Sequence, residues 1–222
     1  NSYNQSWECL GCPNTTVIQT GLSSLWCPSD PLVAQPVNQA AAQTFSGWCP
    51  GASVNMRYTS YSGNFGSLMT EPSNPTSQNF QATLQAMNGV IFSSSKVGIG
   101  DVTDGTSNTM MFIETPYGYR DPTAGGNKWW IQCHPGQTQA GTWYPMNVGK
   151  KLPASFDANS WWGVASAAGG SYHPGGANFA FCDGSVKFLK ETIATWPMNP
   201  STGNPLWVTI GDPHGTGSPP YP

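Results

Sequence analysis

Charge is what this chain has least of. Asp, Glu, Lys and Arg make up only 9% of its 222 residues, against about 25% in an ordinary soluble domain. The eight Lys and Arg are scattered and the net charge is −3, so there is no basic stripe to neutralise phosphates, which argues against nucleic-acid binding. Long apolar runs are missing as well: nothing approaches the roughly 20 residues that cross a bilayer, and Asn1 opens a polar stretch with neither a charged nor an apolar leader region. The usual core formers are scarce, with Leu, Ile, Val and Phe together at about 16%. That falls below the level of about 20% at which disorder is suspected when net charge is high, but here the net charge is low. Familiar catalytic signatures are absent too. There is no GxSxG and no HExxH, and only His134, His173 and His214 can serve as bases, which leaves a nucleophilic triad or a zincin site little support.

What is present in excess is turn formers and large rings. Gly (26) and Pro (20) reach about a fifth of the chain, which argues against long helices. Ten Trp and eight Tyr supply the missing apolar area, each large ring burying roughly 150 to 250 Å². A chain this long buries enough surface to fold without staples. These quantities together predict a mainly β (α+β) fold: one β-rich head over residues 1–222, carrying a loop-rich insertion at 115–160 and an extended tail at 211–222.

Six cysteines, at 9, 12, 27, 49, 133 and 182, allow three disulfides in 15 connectivities. The even number and the low charge fit an oxidising, exported setting, with reduced structural thiols as the alternative. Cys9 and Cys12 form a CxxC without a second such pair or nearby histidines, a weak basis for zinc.

Local patterns place several elements. In SSLWCPSDP at 23–31, Pro28 and the Asp30-Pro31 step forbid a continuing helix, so Leu25 and Trp26 are expected to end a short strand. Alternation over 54–61 predicts a half-buried strand with Val54, Met56, Tyr58 and Ser60 on one face, ending at Ser62-Gly63. Phe80, Leu84 and Met87 are spaced for a short helix stopped by Asn88-Gly89. Val90 to Phe92 and Lys96 to Ile99 read as strands. Met110 to Ile113 reads either as a strand covered on both sides or as a buried helical turn. The strongest local signal is a hairpin: Asn178 to Cys182 and Ser185 to Leu189 joined by Asp183-Gly184 in a type I′ turn, with Phe179 and Phe181 on one face of the first strand and Val186 and Phe188 on one face of the second.

Three kinds of site chemistry are open. The segment IGDVTDGTSNT at 99–109 gathers oxygen donors of the kind that wrap Ca²⁺. Its structural alternative is an Asx-turn at Asp104 with Gly105 left-handed and the following hydroxyls bonding local backbone. Asp101, Asp104, Glu114 and Asp183 are the carboxylates available to a glycosidase pair, and Trp129, Trp130, Trp161 and Trp162 could stack on a polysaccharide or simply fill a core short of aliphatics. His173 stands at the start of the hairpin's first strand and Asp183 at its far tip, roughly 20 to 30 Å away along an extended path at about 3.3 Å per residue. They are too far apart to act as one catalytic pair.

HPGGANFAFCDGSVKFL, in which nine residues separate His173 from Asp183-Gly184, closely resembles the C-terminal signature of prepilin-type proteins of planctomycetes and related bacteria. SSLWCPSDP, with Cys27, and NGVIFSSSKVGIGDVTDGTSNTMMFIE, with Asp104 and Gly105, match the same family in the expected order. The resemblance covers residues 23 to 192 in outline. It implies a pilin-like antiparallel β head carried on an N-terminal hydrophobic helix that is absent from this sequence, so that any membrane contact would run through that helix. It further implies a cell-surface, extracellular or periplasmic location and filament or homo-oligomer partners, and it marks none of these motif residues as catalytic. Pseudopilin heads of related secretion systems hold calcium in a C-terminal loop, an analogy that points to Asp101, Asp104 and Asp183.

Overall fold

The computed structural model describes residues 12–39, 54–67, 84–85, 87–92, 95–116, 138–151 and 168–193. Two short strands, β1 (Val37–Gln39) and β2 (Val54–Met56), pair antiparallel. The main sheet has five strands: β3 (Tyr61–Gly66), β4 (Met110–Glu114), β5 (Gln139–Gly141), β6 (Gly176–Phe181) and β7 (Val186–Lys190), in the order β5-β3-β4-β6-β7. Among the described residues helical structure is slight: a single turn α1 (Thr15–Ile18), another α2 (Val148–Lys151), the pair Leu84-Gln85 and three-residue 3-10 turns. The fold is therefore mainly β, as the turn-rich and ring-rich composition predicts. No helix among the described residues is long and apolar enough to cross a membrane.

The sheet is mixed rather than wholly antiparallel, because β5 runs parallel to β3. That strand lies inside the stretch read as a loop-rich insertion, and three residues are too few for a period-2 pattern to announce them. What holds β5 is contact with its neighbours. Ala140 is fully buried in the core, and the Thr142 N–H just beyond the strand donates to the Gly66 carbonyl at 2.9 Å.

Met110–Ile113 resolves as strand β4, between β3 and β6. The strand predicted over 54–61 is interrupted. β2 stops at Met56, and a second strand begins at Tyr61 and runs through Ser62-Gly63, the pair expected to end it. Val90–Phe92 is not a strand. The Val90 and Ile91 N–H groups both donate to the Asn64 carbonyl, at 3.0 and 2.9 Å, so the segment folds over β3 instead of forming a ladder. Lys96–Ile99 is likewise no strand and leads into a 3-10 turn at Ile99–Asp101, while Leu25 closes a 3-10 turn at Ser23–Leu25 rather than a strand. Leu84 and Gln85 are helical. Phe80, the tail 211–222 and the greater part of 115–160 lie outside the described residues.

The hairpin forms as predicted, with one change at its tip. Gly184 has φ +83°, whereas Asp183 does not enter the left-handed region. The Gly184 N–H donates to the Phe181 carbonyl at 3.0 Å and the Phe181 N–H to the Ser185 carbonyl at 2.8 Å. This is a three-residue loop, a type I turn over Cys182-Asp183 followed by a left-handed glycine, and not a two-residue I′ turn. The Asp183 carboxylate secures it by accepting from the Ser185 N–H at 2.9 Å and hydroxyl at 2.6 Å.

Alternation then sorts the faces. Ala177, Phe179 and Phe181 point into the core with Ile113, Ala140 and Met146, and Met110 and Leu189 pack against them. In register, Phe188 opposes Asn178 and Val186 opposes Ala180, which puts both of these β7 side chains on the outer face. Val186 is 66% exposed and Phe188 47%.

Candidate functional site

The sequence motifs, distant along the chain, meet at the two ends of β6: the second and third at the hairpin tip, and all three at the opposite end. At the hairpin tip, the DGTSN loop docks on the turn. The Cys182 N–H donates to the Thr109 carbonyl at 2.9 Å, the Asp183 N–H to that of Thr106 at 3.1 Å, and Lys187 Nζ to that of Ser107 at 2.6 Å. The Lys187 ammonium also lies 4.1 Å from the centre of the Phe181 ring. Gly105 is left-handed at φ +88°, and Asn108 Nδ2 and Thr109 Oγ1 bond back to the Asp104 and Gly105 carbonyls. The loop is thus a self-capped turn that presents carbonyls to the hairpin.

At the opposite end, Cys27 of the first motif, Glu114 at the end of the second and His173 at the start of the third converge, with their ligand-type atoms all within 4.8 Å of one another. Backbone chemistry positions each of them. Ser60, just before β3, anchors the first motif. Its hydroxyl accepts from the Cys27 N–H at 3.1 Å and faces Asp30 Oδ2 at 3.4 Å, its N–H donates to the Leu25 carbonyl at 2.9 Å, and its carbonyl accepts from the Thr115 N–H at 2.7 Å. Glu114 ends β4 with a side chain only 1% exposed. Its Oε2 accepts from the Asn178 N–H at 2.7 Å and from Asn178 Nδ2 at 3.1 Å, and its carbonyl accepts from the Gly170 N–H at 2.8 Å.

His173 is presented by Ser171, whose hydroxyl donates to the Gly176 carbonyl at 2.6 Å and accepts from the His173 N–H at 2.9 Å. Ser171 is in turn held by Asn147, a left-handed residue (φ 57°) whose Oδ1 accepts the Ser171 N–H at 2.9 Å. Gly176 permits the close approach of β7, since a Cβ there would strike the Leu189 carbonyl and the Phe188 ring. The His173 imidazole stands edge-on to Phe188, ring centres 6.3 Å apart.

The geometry at the meeting point is specific. His173 Nε2 lies 3.4 Å from Cys27 Sγ and 3.2 Å from Glu114 Oε1, while its Nδ1 lies 3.2 Å from Ser29 Oγ. Glu114 Oε1 accepts no hydrogen bond despite its burial, so the ion-pair distance to His173 is not matched by a well-directed N–H. Burial, reinforced by the neighbouring Glu114 carboxylate, pushes the Cys27 thiol up to about 11. That is opposite to the activation a nucleophilic cysteine needs. A relay of the Cys-His-acid kind also uses the two ring nitrogens for two different partners, whereas here thiol and carboxylate crowd the same nitrogen. The arrangement is poorly suited to nucleophilic catalysis.

The other expected sites fare differently. Asp101, Asp104 and Asp183 form no ligand cluster among the described residues. The Asp101 carboxylate turns back to the Gly98 N–H at 2.8 Å, and that of Asp183 is engaged in its own turn. A framework pairing all six cysteines does not form either, because Cys27 and Cys182 are buried free thiols. They sit at opposite ends of β6, a six-residue strand of about 20 Å at 3.3 Å per residue. The side chains of the other four cysteines, and Trp129, Trp130, Trp161, Trp162, His134 and His214, lie outside the described residues. Of the tryptophans described, Trp143 is buried and Trp26 is half-buried, its Nε1 donating to the Tyr58 carbonyl at 3.1 Å. A groove of about 420 Å³ over the sheet, lined by Leu25, Tyr61, Phe112 and Ala180 among others, has no carboxylate in its walls.

Sequence reasoning placed Cys27 and His173 in separate motifs and treated Glu114 only as one of several acids. The signal that could have joined them is that each motif carries one residue able to ligate a metal. No curated protein and no solved structure matches the chain. A family model does match, over residues 2–195, a span that contains all three motifs and both of their meeting points; the chain belongs to that family, described as "Protein of unknown function (DUF1559)".

Proposed function

We propose that this chain is a non-enzymatic, exported pilin-like or pseudopilin-like head, a subunit of a cell-surface filament or of a type II secretion-like assembly that works by contact with copies of itself. The observation that carries this reading is how the motif residues are used. The resemblance rests on three motifs, and in the fold their polar groups are spent on tying strands and loops to one another at the two ends of β6. A scaffold function calls for that economy, and a catalytic one would leave reactive groups facing a cleft.

The outer sheet face supports the same reading. Phe112, 44% exposed, opposes Ala180, which opposes Val186, and Phe188 lies on the same face. A contiguous exposed apolar row of this kind suits contact between subunits.

Electron microscopy of native cell-surface material, with an antibody against this chain, tests the proposal. Regular polymers labelled along their length are expected. A chain found only as a dispersed monomer at the surface would overturn it.

A further inference from the structure

We propose that Cys27, Glu114 and His173 form a zinc site, with the fourth position open to solvent on the side of the half-buried histidine. This goes beyond the assembly reading and does not depend on it.

Two of the three donor-to-donor distances fit the ion, and the third lies within 4.8 Å. Zinc bound at about 2.3 Å to sulfur and about 2.0–2.1 Å to nitrogen and oxygen sets tetrahedral edges of about 3.5 Å from sulfur to nitrogen and about 3.3 Å from nitrogen to oxygen. The corresponding separations are 3.4 Å, Cys27 Sγ to His173 Nε2, and 3.2 Å, His173 Nε2 to Glu114 Oε1.

Each ligand is also oriented by a neighbour, as metal ligands characteristically are. His173 Nδ1 lies 3.2 Å from Ser29 Oγ. A proton held there leaves the Nε2 lone pair aimed at the cluster. Asn178 occupies Glu114 Oε2 with two donors, so the free oxygen is Oε1, which is buried without a hydrogen bond. The Cys27 backbone is fixed by Ser60.

Charge selects a dication. With a metal displacing the Cys27 proton, thiolate, carboxylate and imidazole would bring two negative charges to a place where Cys27 is 3% and Glu114 1% exposed, and uncompensated charge at such depth is costly. Donor type selects zinc over calcium or magnesium, because sulfur and imidazole nitrogen suit a borderline ion and the hard cations require oxygen shells. The ion would join Cys27 to His173 across 146 residues of sequence, clipping the first and third motifs to the end of β4.

The test uses the full chain, stripped with a chelator under reducing conditions, its fold checked by near-ultraviolet circular dichroism. Zinc is titrated against a chromophoric chelator, and cobalt is used as a spectroscopic probe of thiolate ligation. The stripped protein should take up zinc at this site and show a thiolate-to-cobalt charge-transfer band. Cys27→Ser should abolish that band, His173→Gln and Glu114→Gln should each weaken zinc at least tenfold, and Cys182→Ser should leave both readouts unchanged. His173→Gln is half-buried and near-isosteric, so it remains informative if Glu114→Gln fails to fold. No zinc uptake by the folded parent, or uptake unaltered in both Cys27→Ser and His173→Gln, would overturn the proposal. Both readouts are made on the isolated chain, so they are independent of filament formation.

Discussion

Glu114 Oε1 lies 3.2 Å from His173 Nε2, so the last residue of the central motif meets the first residue of the C-terminal one. The carboxylate is buried and the imidazole partly exposed, so among the described residues the imidazole and the Cys27 thiol are the groups that face this oxygen. From the sequence alone, replacing His173 by alanine is expected to cost little unless the residue caps or bonds a buried carbonyl. The ring instead stands at ion-pair distance from a buried carboxylate, and the expectation changes.

His173→Ala should therefore destabilise the metal-free protein by about 1–3 kcal/mol, the usual cost of leaving a buried acceptor uncompensated. Urea unfolding of the two proteins in chelator measures it. Superimposable curves would mean that the pair is not formed.

Gly184→Val should lower stability by about 1–3 kcal/mol, because a β-branched residue is strained in the left-handed region. No atom lies within 4 Å of a Cβ built at Gly184, so the penalty is one of backbone conformation and not of collision. Gly184→Asn should accordingly recover most of the loss, since asparagine tolerates positive φ. Melting temperatures of the three proteins decide the point, and equal losses for Val and Asn would refute the turn assignment.

The two faces of the hairpin should respond unequally. Phe179, buried against Ile113 and Ala140, is expected to lose about 3–5 kcal/mol on truncation to alanine. Phe188 is 47% exposed and should lose much less. Denaturant midpoints check the order, and a reversal would show that the sheet presents its other face to the core.

The Asp183 carboxyl is held below its ordinary value of 3.8, first by the Ser185 hydroxyl and then by the Ser185 N–H. A carboxyl lowered by folding stabilises the native state above the ordinary value, and that contribution is lost as pH falls through the ordinary value and on through the lowered one. The stability difference between the parent and Asp183→Ala should therefore be constant near neutrality and shrink below about pH 4. A difference that stays level down to pH 2 would exclude the carboxylate's role in the turn.

How much of this was legible beforehand follows the range of the interactions. The hairpin could be read because alternation and a Gly-containing turn are both local, although which of the two turn geometries forms depends on hydrogen bonds from Phe181 that the dipeptide does not encode. Met110–Ile113 was legible as apolar but ambiguous in type, and pairing with β3 and β6 settles it as a strand. β5 was illegible, as three residues carry no period. The meeting of Cys27, Glu114 and His173 was illegible for a different reason: it is fixed by Ser60 on Cys27, Asn178 on Glu114 and Asn147 on Ser171, contacts that span 33, 64 and 24 residues of sequence. Gly105, by contrast, adopts the left-handed conformation that its own Asp-Gly step favours.

The decisive question is whether one ion holds the three motifs together. An anomalous-difference map, collected at the zinc edge from crystals of the zinc-reconstituted chain, examines this without an intermediary. A single strong peak is predicted between Cys27 Sγ, Glu114 Oε1 and His173 Nε2. Density that leaves these three atoms apart, or places the metal on other residues, would contradict it.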